Sequence, residues 1–235
     1  MNEPILVIDD LSKSYKKGKP VLEHFNFSVE PGKITGLLGP NGCGKSTLLK
    51  LISGILIPNS GTITVCGQRV SEKTNALISY LPDSPYFSGG MKVKSMLDYF
   101  ADFYEDFDTE MAKTMLQDLG IDPSSRFRSL SKGTKEKVQL VLVMSRRARL
   151  YMLDEPLGGV DPAARDYILK TIIGSYNPDA AVIITTHLIS DVEPVLDDFA
   201  FMNYSGRIMM QGNADATREA TGKSLDALFR EVFAC

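Results

Sequence analysis

The spacing of apolar and polar positions changes character along this chain, and each change predicts an element. The first thirty or so residues run as strands: Ile5-Leu-Val-Ile8 and Val21 to Val29 flank a polar turn, Lys16-Lys-Gly-Lys-Pro20. Ile34 to Leu38 is a short β-compatible apolar run, and Thr47 to Ser53 reads as an amphipathic helix. Thr62-Ile-Thr-Val-Cys66 and Leu77-Ile-Ser-Tyr-Leu81 predict further strands. From Lys92 to about Ser145 the spacing is helical. Met96, Leu97, Phe100, Phe103 and Tyr104 share one face, while Met111, Met115, Leu116 and Leu119 belong to a second helix. Asp108 is a plausible N-cap for that second helix and Gly120 its stop. Strand patterns return at Leu150 to Leu153 and Ala181 to Thr186. Between them Pro162 to Ile173 looks helical, with Asp161 as its start signal. Phe199 to Tyr204 and Arg207 to Gln211, joined by Ser205-Gly206, form a hairpin pattern, and Leu225 to Phe233 a last short helix. The expectation is a single domain: an α/β core over 1–82 and 149–235, interrupted by a helical insert over 83–148.

Size and composition narrow this picture. A chain of 235 residues with 43% hydrophobic content is long enough and apolar enough to bury a core. A net charge of −3 gives no electrostatic reason to expect nucleic acid as a partner. No basic segment leads an apolar stretch at Met1-Asn2-Glu3-Pro4, so no secretory signal is expected. The longest uncharged stretch, Leu51 to Gln68, is broken by Pro58-Asn59-Ser60-Gly61, and a spanning helix needs ~20 apolar residues. Cys43, Cys66 and Cys235 form no C-x-x-C pair, which fits a reducing cytoplasm; Cys43 reads as a small filler.

The chemistry concentrates in a few segments. Gly39-Pro40-Asn41-Gly42-Cys43-Gly44-Lys45-Ser46-Thr47 fits the phosphate-binding pattern G-x-x-x-x-G-K-[ST]. Its glycines allow the backbone to curl around phosphate oxygens, and a helix N-terminus follows directly. Lys45 is expected at the β- and γ-phosphates, and the Ser46 hydroxyl on Mg²⁺. Arg149-Leu-Tyr-Met-Leu-Asp-Glu155 is an apolar strand ending in carboxylates. Asp154 is expected to face Mg²⁺, and Glu155 an attacking water as general base. Leu130-Ser-Lys-Gly-Thr134 opens an amphipathic helix, where Ser131 alone reads as an ordinary N-cap.

The order of the phosphate loop, Leu130-Ser131-x-Gly133, Leu153-Asp154-Glu155-Pro156, Asp161 and His187 resembles an ATP-binding-cassette (ABC) transporter ATPase subunit over almost the whole chain. The resemblance implies a P-loop NTPase core with a mixed sheet, N-terminal antiparallel strands and an inserted α-helical subdomain. It implies ATP and Mg²⁺ as ligands, with Tyr15 stacking on adenine, Asp161 coupling two subunits, and His187 contacting the γ-phosphate. It also implies dimerisation, with itself or with a second ABC ATPase. Ser131, Lys132, Gly133 and Thr134 of one subunit then reach in trans to the nucleotide of the other. ATP hydrolysis is expected to power separate transmembrane permease subunits from the cytoplasmic face of the cell membrane. The helical insert resembles the docking region for such a partner. Its aromatics, Tyr99, Phe100, Phe103, Tyr104 and Phe107, are interleaved with acidic residues.

The chain also departs from the family pattern. Where a glutamine is usual, Tyr80-Leu81-Pro82-Asp83 carries Asp83, which only accepts hydrogen bonds and can serve Mg²⁺ directly or through water. Lys132 and Thr134 stand where glycine and glutamine are common. Lys132 is either a partial offset for Asp83 in a closed dimer or a solvated rim charge. Pro82-Asp83, Leu130-Ser-Lys-Gly-Thr134 and Gly158-Gly159-Val160-Asp161 look closest to bacterial multidrug or peptide-antibiotic exporter ATPases. The alternatives are a soluble ABC ATPase acting on ribosomes or DNA, and a regulatory nucleotide-binding module with little turnover.

Overall fold

The computed structural model describes residues 3–16, 18–84, 87–158, 160, 162–177 and 179–233. In chain order the elements begin with β1 (Leu6–Lys16), β2 (Lys19–Val29), β3 (Ile34–Leu38), α1 (Lys45–Ile52), β4 (Ser60–Val65), β5 (Gln68–Arg69), α2 (Glu72–Asn75) and β6 (Ile78–Leu81). The middle of the chain forms α3 (Val93–Phe103), α4 (Thr109–Asp118) and α5 (Lys132–Met144). Then follow β7 (Leu150–Asp154), α6 (Pro162–Ser175), β8 (Ala181–Thr186), α7 (Ile189–Val192), β9 (Asp198–Met202), β10 (Ile208–Asn213), α8 (Ala214–Thr221) and α9 (Leu225–Val232).

These strands form an antiparallel sheet, β2-β1-β4-β5, and a mixed sheet, β10-β9-β3-β8-β7-β6. In the mixed sheet β6, β7, β8, β3 and β9 pair in parallel, and β10 closes one edge antiparallel to β9. Every residue of β3, β7 and β8 is buried, which is why these strands read as continuous apolar runs and not as alternating ones. One apolar cluster fills the space between the sheets around α1, and the other joins α3, α4, α5, α6 and the C-terminal helices to the mixed sheet. The α/β fold with its N-terminal antiparallel sheet is the expected one.

Helix α5 is fixed to the edge strand β6. Ser79 Oγ donates to the Val143 carbonyl at 2.8 Å. Just past α5, the buried Arg146 donates to the carbonyls of Ala76 and Ile78 and to both oxygens of Asp106, and its guanidinium lies 3.8 Å from the Tyr104 ring centre. Asp108 caps α4 by accepting from Met111 N at 2.9 Å, and Gly120 follows with φ +63°, a conformation that ends the helix at little steric cost.

The elements absent from the sequence reading are short or polar. β5, α2 and α7 are a turn or less in length, and α8, with the sequence Ala-Asp-Ala-Thr-Arg-Glu-Ala-Thr, carries little apolar periodicity. Its ends are set instead by Asn213, which accepts from Ala216 N, and by Gly222 at φ +66°. Asp161, Gly159 and Cys235 lie outside the described residues.

Candidate active site

The carboxyl ends of β3, β6, β7 and β8 open onto one cavity of about 570 Å³. Pairing sets their alignment: Leu38 is opposite Thr186, Asp154 opposite Thr185, and Leu81 opposite Leu153. The residues that follow each strand therefore arrive at the same height. They include the glycine loop after β3, Pro82-Asp83 after β6, Glu155 after β7 and His187 after β8. Ligands in parallel α/β sheets bind at this end for the same reason.

Gly44, at φ +108°, is the N-cap of α1, and no side chain caps this helix. A side chain here would meet Val21 and Met202 at about 3 Å, so glycine is needed for both the turn and the fit. The first amide groups of α1 are left to an anion. Lys45 is buried, and its Nζ donates to the Gly39 and Pro40 carbonyls at 2.7 and 3.2 Å and lies 3.6 Å from Glu155 Oε1. Cys43 is buried with its sulfur facing Gly39, and burial pushes its thiol up, which suits a filler.

Asp154 is buried at the tip of β7, accepting from Thr185 Oγ1 at 2.6 Å. Burial pushes its carboxyl up; hydroxyls of Thr185 and Ser46 pull it back, and the charges of Asp83 and Glu155 raise it further. A buried carboxylate beside a serine hydroxyl, facing more carboxylates, is a donor set that fits a hard divalent cation. Glu155 has the unusual φ of +50° for a residue with a side chain, a conformation that costs about 1–3 kcal/mol and persists only where the surroundings impose it. Its amide donates to the Thr185 carbonyl at 2.9 Å, Thr186 Oγ1 donates to Oε2 at 2.9 Å, and His187 Nδ1 stands 3.0 Å from Oε1. Behind this group Arg165 pairs with Asp191 of α7 at 2.6 Å and donates to the Val160 carbonyl at 3.4 Å. It thereby ties the loop after Glu155 to the helix after His187.

Tyr15 stands at the mouth of the cavity, exposed, with its hydroxyl 3.2 Å from Thr47 Oγ1 and Lys13 Nζ 5.8 Å from its ring centre. Asn41, Gly42 and Gly44 line the cavity with Lys45, Ser46, Thr47, Asp83, Asp154, Glu155 and His187. Gly39, Pro40 and Cys43 lie behind that surface. Ser131 caps α5, accepting from Thr134 N at 3.2 Å, and with Gly133 and Thr134 it sits away from this cavity. Lys132 lines the pocket of its own chain and stands 3.9 Å from Glu136 Oε1.

Several residues in or directly behind this surface were not singled out as functional from sequence. Thr185 and Thr186 hold the two carboxylates, and their signal is a hydroxyl pair ending an apolar strand. Glu136 and Gln139 join Lys132 on the wall formed by α5. The sequence does carry their spacing, which turns positions 132, 136 and 139 to one helical face.

A second cavity of about 820 Å³ lies between β6 and α3, lined among others by Ile55, Met91, Tyr99, Phe100, Tyr104 and Arg146. It shares Ser46, Pro82, Asp83 and Asp154 with the first. The ring of Tyr99, which lines it, lies 4.4 Å from that of Phe103, and both are exposed, as is Ile55. No helix among the described residues is long and apolar enough to cross a membrane.

The family described as ABC transporter matches residues 22–158. The chain is 32% identical over 201 residues to the ABC transporter ATP-binding protein YtrB of Bacillus subtilis (strain 168), covering 84% of this chain and 68% of that protein. It is 29% identical to the ABC-type transporter ATP-binding protein EcsA of the same organism, covering 97% of this chain and 96% of that one. Among solved structures, one titled as the ATP binding subunit of an ABC transporter superposes with a TM-score of 0.87 at 29% identity, covering 97% of this chain and 99% of that chain.

Proposed function

This chain belongs to the ABC transporter family, and from that premise we propose that it binds Mg-ATP, closes head to tail on a second ABC ATPase, and hydrolyses ATP to drive a separate membrane permease. The observation that carries this reading is the meeting of Lys45, Ser46, Asp154, Glu155 and His187 in one cavity, with Glu155 held by Thr186 and beside His187. A divalent cation held by Ser46 and Asp154 supplies positive charge that neutralises phosphate oxygens. When substrate enters, the Lys45 ammonium turns from the loop carbonyls and Glu155 to the terminal phosphate, which frees Glu155. Glu155 then takes the proton of the attacking water as the water oxygen bonds to phosphorus and the bond to the leaving ADP oxygen breaks. His187 orients that carboxylate. Tyr15 offers its exposed ring to the adenine.

The second subunit, identical or related, completes the site. Ser131 and the amides of Lys132 and Gly133 at the α5 N-terminus bring hydrogen bonds and a positive dipole end to the partner's nucleotide. Asp161 joins the two subunits. The helical segment 83–148 acts as a subdomain that swings on closure, and the cavity lined by Ile55 and Tyr99, with Phe103 beside Tyr99, receives a segment of the permease. This docks the chain on the cytoplasmic face of the cell membrane. Export is the proposed direction, supported by the likeness of Pro82-Asp83, Leu130-Ser-Lys-Gly-Thr134 and Gly158-Gly159-Val160-Asp161 to multidrug and peptide-antibiotic exporter ATPases. ATPase assays across an enzyme dilution series test the reading. Specific activity is expected to rise with concentration as a dimer forms. A strictly monomeric protein with ATP turnover independent of dilution overturns it.

A further inference from the structure

Among the described residues, the buried side-chain nitrogen and oxygen atoms without a hydrogen-bond partner are Tyr80 Oη, Glu136 Oε2 and Gln139 Oε1. They are not scattered. Glu136 and Gln139 line the nucleotide cavity from α5, and Tyr80 lines the adjoining cavity from β6, at the junction shared by Ser46, Pro82, Asp83 and Asp154. Asp83 is the common neighbour, near enough to act electrostatically on Tyr80, Glu136 and Asp154. Gln139 is 2% exposed, so water in the bulk does not satisfy its carbonyl.

Leaving such an atom unpaired costs about 1–3 kcal/mol, and buried polar atoms in native structures almost always have a partner in protein, water or an ion. The cluster consists of carboxylate and amide acceptors plus one phenol, which can give or take a proton. It is therefore complementary to a donor-rich, positively charged occupant. No three carboxylate, histidine or cysteine side chains among the described residues stand close enough to ligate a metal directly. Waters carried by such an occupant turn their hydrogens outward and meet acceptors of this kind. Waters bound to a divalent cation at Ser46 and Asp154 present that pattern at this junction.

We propose that Glu136 and Gln139 from α5 and Tyr80 from β6, with Asp83 between Tyr80 and Glu136, hold the water shell of the nucleotide's divalent cation, so that cation binding draws α5 toward the sheet. This rests on the nucleotide-binding reading above and adds positioning residues to it. The cation-loaded nucleotide is then recognised by the sheet and the helical segment together, whereas cation-free nucleotide is recognised by the sheet alone.

The test uses Mn²⁺ as the probe. Loss of the free Mn²⁺ paramagnetic resonance signal is followed in titrations of the full chain with a nonhydrolysable ATP analogue, for wild type, Glu136→Gln, Gln139→Leu and Tyr80→Phe. Each variant is expected to bind Mn²⁺ about three- to tenfold more weakly, the range of one hydrogen bond. Binding of a fluorescent ATP analogue in EDTA is expected to stay within twofold of wild type. Mn²⁺ affinity unchanged in the variants overturns the proposal. So does a loss of cation-free nucleotide binding as large as the loss of Mn²⁺ binding, because the pocket itself has then changed shape. Should Gln139→Leu fail to fold, the near-isosteric Glu136→Gln and Tyr80→Phe decide the matter by the same criteria. If wild type shows no nucleotide-dependent Mn²⁺ binding, the nucleotide-binding reading has failed, a result distinct from equal affinities in wild type and variants.

Discussion

The sheet wall and the helical wall of the nucleotide cavity differ in how they treat their polar atoms. On the sheet side Asp154 has Thr185, Glu155 has Thr186 and His187, and Lys45 has the Gly39 and Pro40 carbonyls. On the helical side Glu136 and Gln139 keep buried oxygens with no partner, and the one such atom on the sheet, Tyr80 Oη, lies on the edge strand β6 to which α5 is fixed. A wall satisfied within itself is organised before any ligand arrives, as a site for bond-making must be. A wall with orphan groups gains the most from being filled. The sheet side is suited to chemistry, and the helical side to sensing that the cavity is loaded.

The sharpest way to break this division is Glu155→Gln. The amide keeps the size and most contacts but cannot take a proton from water, so turnover is expected to fall about 10²–10⁴-fold. ATP-bound dimer should accumulate on gel filtration. Hydrolysis at the wild-type rate would move the chemistry away from the sheet wall.

Next in size is the joint between the walls. Arg146→Leu leaves Asp106 and the Ala76 and Ile78 carbonyls without their donor, and it removes the cation from the Tyr104 face. Breaking one partner out of such a buried pair costs about 3–5 kcal/mol, and partial exposure of Asp106 sets the expectation at the lower end. Urea unfolding measures the loss. If the walls are coupled through this residue, limited proteolysis should release the helical segment before the sheet.

A smaller effect is expected outside the nucleotide cavity. Ile55→Glu and Phe103→Glu place charge on exposed apolar positions, the first lining the second cavity and the second beside Tyr99 at its edge. Retention of the chain on host membranes should drop about tenfold, the effect of roughly 1.4 kcal/mol. ATPase activity of the purified chain should not change. Equal retention of variant and wild type would mean that this rim is not the docking surface.

The contrast between the walls also explains what could be read in advance. The meeting of Lys45, Ser46, Asp154, Glu155 and His187 was legible because each lies at a strand end or, for Lys45 and Ser46, at the end of the loop that follows one, and the parallel register of β3, β7 and β8 turns separate sequence signals into one place. Glu136 and Gln139 were not, because a polar face on a helix reads as a solvated face until the sheet is seen to cover it. Gln139 did leave a trace, as the one amide in the apolar run from Val138 to Met144. Lys132 was read as a group reaching across a subunit seam, yet it also borders its own chain's cavity, a position that depends on how α5 packs on β6. The strands and longer helices followed their periodicity, while α2, α7 and α8 were too short or too polar to show one.

The gentlest probe of the helical side is the α4 cap. Asp108 accepts from Met111 N and pairs with Arg147 at 3.2 Å. Those bonds, the Met111 amide first and Arg147 second, hold its carboxyl below the ordinary value of 3.8. A folded value below the unfolded one means that this stabilisation is fully present above the unfolded pKa and fades as pH falls through the folded one. Asp108→Ala should therefore cost about 1 kcal/mol at pH 7 and progressively less below pH 4. Asp108→Asn keeps a capping oxygen and loses only an exposed ion pair, so it should cost about 0.5 kcal/mol or less at neutral pH, and because neither variant titrates here its cost should fall in acid by the same amount as that of Asp108→Ala. Urea unfolding of both variants at pH 7 and near pH 3 checks the sign. Because α4 contributes no residue to the lining of the cavity, neither change should alter nucleotide affinity. A shift in that affinity would mean that the helical wall feels its own packing as strongly as it feels its ligand, and the division between the walls would then be one of degree.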